Sequence, residues 1–347
     1  MFGRRAVFLL AVLACACGRD AGSSDGERTL SLNGAGATFP FPLYSKWIAE
    51  YHRLYPNVRI NYQSIGSGGG IRQLVAETVD FGATDAAVRD EEARSARGSL
   101  LHLPTAVGSL AIGYRLDGVS GELRLTPGVL AGIFLGEIQR WNDPELAVEN
   151  PRLALPDRAI TVVFRTDGSG STAALTEYLS RVSPIWKEQV GSGKSVRWPV
   201  GLGAKGNEGV AGLLQGTPGS IGYLELAYAK QSGLPSALLR NHAGKFVAPS
   251  PSAALAAAES VEMPEGFRVS LIDAPGEAAY PIASYTYLLV YEKPRDAEKG
   301  RALARFLWWA LHDGQRYAEQ LDYAPLPASV LRKLESKLQT QKLLDGV

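Results

Sequence analysis

The chain has 347 residues, 46% of them hydrophobic and 20% charged, with 36 basic against 35 acidic side chains and two cysteines. A near-neutral balance without a basic block excludes nucleic acid as the partner, and two cysteines exclude a disulfide framework. Once a leader is set aside, about 320 to 330 residues remain, more than one hydrophobic core ordinarily supports, so two lobes are expected.

Arg4 and Arg5 ahead of the apolar run 6–13 read as a targeting segment, far too short to span a bilayer. The run ends Val12-Leu13-Ala14-Cys15-Ala16-Cys17-Gly18, which resembles a lipobox, where the leader is cut and the cysteine becomes an acylated N-terminus. Cys15 fits better than Cys17 because Val12 lies three residues before it. The alternative is a plain secretory signal whose cysteines are discarded. This gives a signal peptide over 1–14, then a lipid anchor and flexible tether over 15–28, polar and poor in apolar residues. Losing Arg4 and Arg5 leaves 34 basic residues against 35 acidic, a charge of about −1. No later run is apolar enough over sufficient length to cross a membrane.

Residues 29–32 read as a short strand, followed by the small-residue turn 33–40. Tyr44, Trp47, Ile48, Tyr51 and Tyr55 then share a helical face, with Pro40 and Pro42 suited to a first turn. Thr38 becomes an N-cap candidate, with the Phe39 N–H beside it. Val58, Ile60 and Tyr62 alternate as a strand; Ile65-Gly66-Ser67-Gly68-Gly69-Gly70 is a second small-residue turn; Ile71, Leu74, Val75 and Val79 suggest a helix. Glycines there let backbone approach a ligand closely, and Ser67 adds a hydroxyl. Residues 79–85 form a short strand ending in Asp85, whose default role is to cap or turn the segment 86–96. Residues 100–114 are a buried strand, 126–136 a helix, and Trp141-Asn142-Asp143-Pro144 a turn.

The third turn is the most informative. An apolar strand over 160–164 runs into Arg165-Thr166-Asp167-Gly168-Ser169-Gly170-Ser171, and Leu175, Tyr178, Leu179 and Val182 recur at helical spacing. A helix start exposes unpaired N–H groups and the positive end of its dipole. An arginine and two hydroxyls beside it make a small anion pocket; the alternative is an ordinary helix start that Ser169 or Ser171 caps. Further on, 221–224, 269–272 and 285–291 read as strands, 241–266 as a peripheral helix with loops, 303–311 as a buried helix, and a last helix begins near Pro327. Alternating strands and helices indicate α/β architecture with mainly parallel sheets, and ligands in such folds sit outside strand C-termini, where the three turns fall.

Several patterns imitate catalysis. Gly191-Ser192-Gly193-Lys194-Ser195 resembles the end of a nucleotide-binding P-loop, but its required earlier glycine is Glu188 and no strand precedes it. Gly201-Leu202-Gly203-Ala204-Lys205-Gly206 matches GxGxxG in letters; Trp198-Pro199-Val200 is a poor leading strand, and the alternative is a glycine-rich loop packed beside a cleft. No serine stands in GxSxG. His52, His102, His242 and His312 have no metal-ligand spacing and read as surface or capping residues. No enzyme, cofactor or metal site is expected.

The blocks 34–47 (GAGATFPFPLYSKW), 65–73 (IGSGGGIRQ), 79–86 (VDFGATDA), 165–172 (RTDGSGST), 196–212 (VRWPVGLGAKGNEGVAG) and 219–229 (GSIGYLELAYA) resemble the phosphate-binding proteins of bacterial phosphate ABC importers, in the same order and over nearly the whole mature chain. The resemblance implies the two-lobed periplasmic binding-protein fold (type II), each lobe a mainly parallel sheet flanked by helices, with the ligand in the hinge cleft. By analogy lobe one is 29–114 plus 281–347 and lobe two is 115–280. The phosphate contacts carried over are Thr38, Phe39, Ser67 and Asp85 from lobe one, and Arg165, Asp167, Ser169, Gly170 and Ser171 from lobe two. Relatives mostly have threonine where Ser171 stands, and often serine where Gly68 stands; the hydroxyl at 171 survives. Asp85 would accept a hydrogen bond from a protonated phosphate and repel sulfate, while Asp167 would orient the Arg165 guanidinium.

The implied function is high-affinity binding of inorganic phosphate outside the cytoplasmic membrane and delivery to an ABC permease. The partners are the permease and ATPase subunits and, through the Cys15 lipid, a membrane. The location is periplasmic or cell-surface. Alternatives are a binding protein for another protonated tetrahedral oxyanion such as arsenate, or a phosphate-scavenging or sensing lipoprotein.

Overall fold

The computed structural model describes residues 29–340. The expected leader, tether, Cys15 and Cys17 lie outside the described residues. β1 (Leu30–Gly36) leads to α1 (Phe41–Leu54), which buries Leu43, Tyr44, Trp47 and Tyr51 on the face predicted for it. The cap of α1 differs from expectation. It is Pro40, with no side-chain cap bond, and the Thr38 hydroxyl is engaged elsewhere.

β2 (Val58–Ser64) is followed by α2 (Ser67–Val75), then β3 (Phe81–Thr84) and the short α3 (Asp90–Ala93). The helix starts earlier than its apolar spacing suggests and stops before Val79. Its end coincides with Glu77 in the left-handed region, at φ 55°. Its glycines are held helical by packing: a Cβ on Gly70 would stand 2.4 Å from the Gly36 Cα.

β4 (Leu100–Tyr114) is a long strand, buried from His102 onward. After β5 (Arg124–Leu125), α4 (Pro127–Leu135) is capped by Thr126 and closed by Gly136 at φ 78°; α5 (Pro144–Glu149) is capped by Asp143. Then come β6 (Thr161–Arg165), α6 (Gly170–Val182), α7 (Pro184–Gln189), β7 (Leu202–Ala204), α8 (Gly206–Gly216), β8 (Ser220–Glu225) and α9 (Leu226–Gln231). A small sheet is completed by β9 (Leu238–Arg240) and β10 (Phe246–Val247). α10 (Pro251–Glu259), β11 (Ala283–Tyr291), α11 (Ala297–Leu311) and α12 (Ala328–Thr340) finish the described chain.

The strand expected at 269–272 does not form. Only Ile272 makes an isolated bridge, to Ile282, and positive φ angles at Phe267 (57°) and Asp273 (53°) break the extended run on both sides.

The main sheet has the order β2-β1-β3-β11-β4-β8-β6-β7. β1 pairs in parallel with β2 and β3, and β6 with β7 and β8, so each end is parallel; β11 and β4 run antiparallel through the middle. Two aromatic-rich cores flank this middle. Trp47, Tyr51, Phe81, Leu103, Val107, Tyr285 and Phe306 belong to one; Leu110, Ile112, Phe134, Trp141, Leu175, Tyr178 and Trp186 belong to the other.

The change of core is abrupt. Along β4 it falls between Val107 and Leu110, and along the other pass between Ile282 and Ala283. These points lie side by side: Ala283 pairs with Ser109, and Leu110 N donates to Ile282 O at 2.9 Å. The two lobes are thus joined by neighbouring strands at one level. Residues 253–279, assigned to the second lobe from sequence, divide between the cores: Ala253 and Ile272 join the second, while Ala254, Ala257, Met263, Phe267 and Leu271 join the first. α10 is accordingly packed into a core along its alanines rather than peripheral.

Candidate functional site

The starts of α2 and α6 converge on the end of β3, and the start of α8 meets the turn between β6 and α6 at Asp167. α6 begins where β6 has delivered Arg165 and a short turn reverses the chain. Ser169 is its N-cap, accepting from Thr172 N at 3.1 Å, an arrangement that contributes about 1 kcal/mol. Gly170, the first helical residue, donates its N–H to Ser67 Oγ at 3.1 Å. Only glycine allows this approach, because a Cβ there would lie 2.7 Å from both Asp85 Oδ2 and Ser67 Oγ. One turn of backbone away, Gly68 N donates to Gly168 O at 2.8 Å. The two glycine-rich turns therefore meet backbone to backbone across the lobes.

Asp85 follows β3 directly and is 5% exposed. Its Oδ1 accepts from Thr286 Oγ1 at 2.9 Å, and its Oδ2 from Ser67 Oγ at 3.3 Å. Ser284 Oγ holds its backbone carbonyl at 2.8 Å. All the side-chain donors on this carboxyl are neutral hydroxyls. Burial pushes its pKa up to about 7, with Thr286, Arg165, Ser67 and Lys194 partly opposing. Asp85 is therefore no helix cap; the cap of α3 is the Arg89–Glu92 box.

Arg165 is buried, and its side chain forks onto Asp167: Nε to Oδ1 at 2.7 Å and Nη2 to Oδ2 at 2.5 Å. Asp167 Oδ1 also accepts from Gly206 N at 3.0 Å. Burial alone would raise the Asp167 pKa, but the guanidinium and the Gly206 N–H outweigh it and hold the carboxyl below its ordinary value. Gly66, at φ 86°, lets Asp167 pack against it; a Cβ there would meet Oδ2 at 2.2 Å. The fork commits part of the guanidinium and leaves its remaining N–H groups for another acceptor. Ser171 Oγ is buried and has no hydrogen-bond partner within the protein.

Thr38 and Phe39, both buried, follow β1. Thr38 Oγ1 accepts from Asn207 Nδ2 at 2.8 Å and its N at 3.3 Å, and Thr38 O accepts from Tyr228 OH at 2.8 Å. Phe39 O accepts from Tyr323 OH at 2.6 Å. Ser67, Asp85, Gly170 and, through its neighbour Gly170, Ser169 are brought together directly; Thr38 is tied in through Asn207, which adjoins the Gly206 N–H on Asp167.

Sequence reasoning missed Asn207, Thr286, Tyr223 and Glu225. Asn207 opens α8, in the block read as a GxGxxG lookalike; β7 supplies a brief edge strand, so the letters span strand, turn and helix start. Tyr223 OH meets Thr172 Oγ1 at 2.6 Å and accepts from Arg165 N at 3.0 Å. Glu225 is fully buried, and burial pushes its carboxyl well above the usual range. His102 is likewise buried rather than superficial: its Nε2 accepts from Val88 N at 3.0 Å, and burial lowers its pKa to about 4.

Among the described residues no group of histidine, cysteine, aspartate and glutamate could hold a metal ion, and no helix is long and apolar enough to cross a membrane. The family model of a PBP superfamily domain matches residues 21–313. The chain is 44% identical over 320 residues to the phosphate-binding protein PstS of Pasteurella multocida, covering 91% of this chain and 92% of that one. It is 38% identical over 351 residues to the PstS of Methanocaldococcus jannaschii, covering 93% and 90%. Among solved structures, a high affinity periplasmic phosphate-binding protein bound with phosphate superposes with a TM-score of 0.70 at 19% identity, covering 88% of this chain and 93% of that one. An ABC-type phosphate transport receptor from Vibrio cholerae superposes with a TM-score of 0.57 at 17% identity, covering 85% and 100%; at these identities the likeness speaks for the fold.

Proposed function

The chain belongs to the PstS family of phosphate-binding proteins within the PBP superfamily, and on that premise we propose that it binds inorganic phosphate between its lobes and delivers it to an ABC permease. We take lobe one as 29–114 with 281–347 and lobe two as 115–280, with two adjustments from the packing: the cores change over at 107–110 and 282–283, and Ala254, Ala257, Met263, Phe267 and Leu271 pack with lobe one. The observation that carries the reading is the junction of Ser67 Oγ, the Gly170 N–H and the Asp85 carboxyl: anion donors from two lobes meeting one buried acid.

A dehydrated oxyanion must recover its lost water in hydrogen bonds. The donors are the hydroxyls of Thr38, Ser169 and Ser171, the N–H groups at Phe39 and Ser171 and the free edge of the Arg165 fork, joined by the Ser67 hydroxyl and the Gly170 N–H once the anion draws them from Asp85 and Ser67. Charge-assisted bonds of this kind contribute about 1.5–3 kcal/mol each before the costs of binding, so a handful reaches micromolar affinity or better. Asp167 holds the guanidinium in place. The unpartnered Ser171 hydroxyl supports its role as a ligand donor.

Asp85 selects among anions. Its pKa near 7 lets it share a proton with hydrogen phosphate, whereas a fully deprotonated anion meets it lone pair to lone pair. Arsenate, equally protonated, satisfies the same contact. Both lobes supply donors, so phosphate favours the closed form. The chain acts by binding without turnover; partner subunits supply the energy for import. It works outside the cytoplasmic membrane, held there through acylated Cys15.

Isothermal titration with phosphate, arsenate and sulfate tests this reading. Phosphate and arsenate are expected to bind at micromolar or lower concentration, with sulfate at least a hundredfold weaker. Equal binding of sulfate, or none of phosphate, would refute it.

A further inference from the structure

The segment 191–195, which imitates a P-loop, occupies a defined place beside the site. Gly193 N donates to Thr176 Oγ1 at 3.0 Å, which docks the segment on α6, and Lys194 O accepts from Ser169 N at 2.9 Å, so it also holds the proposed ligand helix at its cap. The Lys194 side chain leaves this lobe and crosses to the segment just beyond Asp85. Its Nζ donates to Ala87 O at 3.2 Å and to Glu92 Oε2 and Oε1 at 2.8 and 3.2 Å. The pair is poorly exposed, at 9% for the lysine side chain and 18% for the glutamate. Glu92 is itself fixed by Arg89 N at 2.9 Å.

We propose that Lys194 and Glu92 form the latch that keeps the cleft shut over its ligand, with Lys194 a positioning residue that never touches the anion. The proposal rests on the phosphate-binding reading. A shielded pair escapes most of the screening that makes exposed pairs weak, and hinge opening would part the two charges and leave the lysine without its acceptors. Because the same residue secures Ser169 through its carbonyl and Glu92 through its ammonium, loading of the site and clamping of the rim are mechanically one event.

The sign of one substitution separates a latch from general attraction of anions. Removing the negative charge of Glu92 would tighten anion binding if only the summed field mattered; a latch predicts the opposite. Glutamine preserves the helix-capping bond to Arg89 N, so Glu92→Gln tests the charge without dismantling α3. Phosphate release is measured by stopped flow and affinity by calorimetry on the wild type, Lys194→Met, Glu92→Gln and the double variant. Each single change is expected to speed release about tenfold with association changed less than twofold, and the double variant to match either single one. Lys194→Arg is expected to retain slow release, which separates a lost ion pair from a lost fold. Unchanged or slower release in Glu92→Gln, or fully additive singles, would overturn the latch. Small-angle scattering without ligand tests it independently of phosphate: wider lobe spacing in both single variants supports the pair as a clamp, and identical spacing alongside unchanged release, or identical spacing in a protein that binds no phosphate, refutes it. Failure of the wild type to bind phosphate would refute the binding reading alone.

Discussion

Asp85 and Asp167 are the same residue type, both shielded from solvent, on opposite sides of the junction between α2 and α6, yet they titrate in opposite directions. Asp167 has a guanidinium fork and a backbone N–H, and stays ionised. Asp85 has two neutral hydroxyls, and burial wins, pushing its pKa to about 7. The difference lies in the donors: a full positive charge in contact offsets desolvation, whereas hydroxyl dipoles do so only in part. One carboxylate thereby becomes scaffolding and the other a group that can hold or release a proton near neutrality.

The most direct way to break the contrast is to remove the guanidinium. Arg165→Met leaves Asp167 as a buried carboxylate without its counter-ion, and is expected to cost about 3–5 kcal/mol of stability by denaturant unfolding, with at least a hundredfold loss of phosphate affinity. A loss below 1 kcal/mol would mean that the fork contributes little.

Asp85→Asn sharpens the contrast through pH. The folded-state pKa of about 7 exceeds the ordinary 3.8, so the folded protein binds the extra proton in that window. Stability from this group is fully present below about pH 4 and is lost as pH rises through 7, on the order of a few kcal/mol. Ligand-free unfolding at several pH values should show the wild type losing this increment relative to Asp85→Asn, which lacks it, and the variant should discriminate poorly between phosphate and sulfate. Parallel profiles with selectivity intact would remove Asp85 from its role. The smallest effect is expected from Ser169→Ala: about 1 kcal/mol of stability from the lost cap, seen as a modest drop in melting temperature.

The sequence carried much of this locally. Arg165 and Asp167 lie two residues apart at a strand end, and Ser169 stands ahead of a helical apolar pattern, so their fork and cap were legible from spacing. Asp85 enters as a candidate site residue only through the family resemblance; by local rules it is a turn residue. Thr286, Tyr223 and Asn207 were not legible, because each reaches the site from a distant segment: Thr286 acts on Asp85 from 201 positions away. Thr38 was misread as a cap because the prolines beside it fit a first turn, whereas its hydroxyl is taken by Asn207 from the other lobe. Gly68 to Gly70 hid the start of α2, since glycine is a weak helix former and tertiary contact supplies what propensity does not.

The placement of β11 between β3 and β4 bears on how the molecule comes into being. Residues emerging early cannot finish their own sheet; two edges stay unpaired until a strand more than 160 residues later arrives to fill the gap. The intervening portion can mature first, while the opening segment waits for the tail. Assembly of this kind depends on distant pairings and is slow by nature, so a nascent or truncated chain ending before Ala283 would present unpaired strand edges to its neighbours and tend to aggregate.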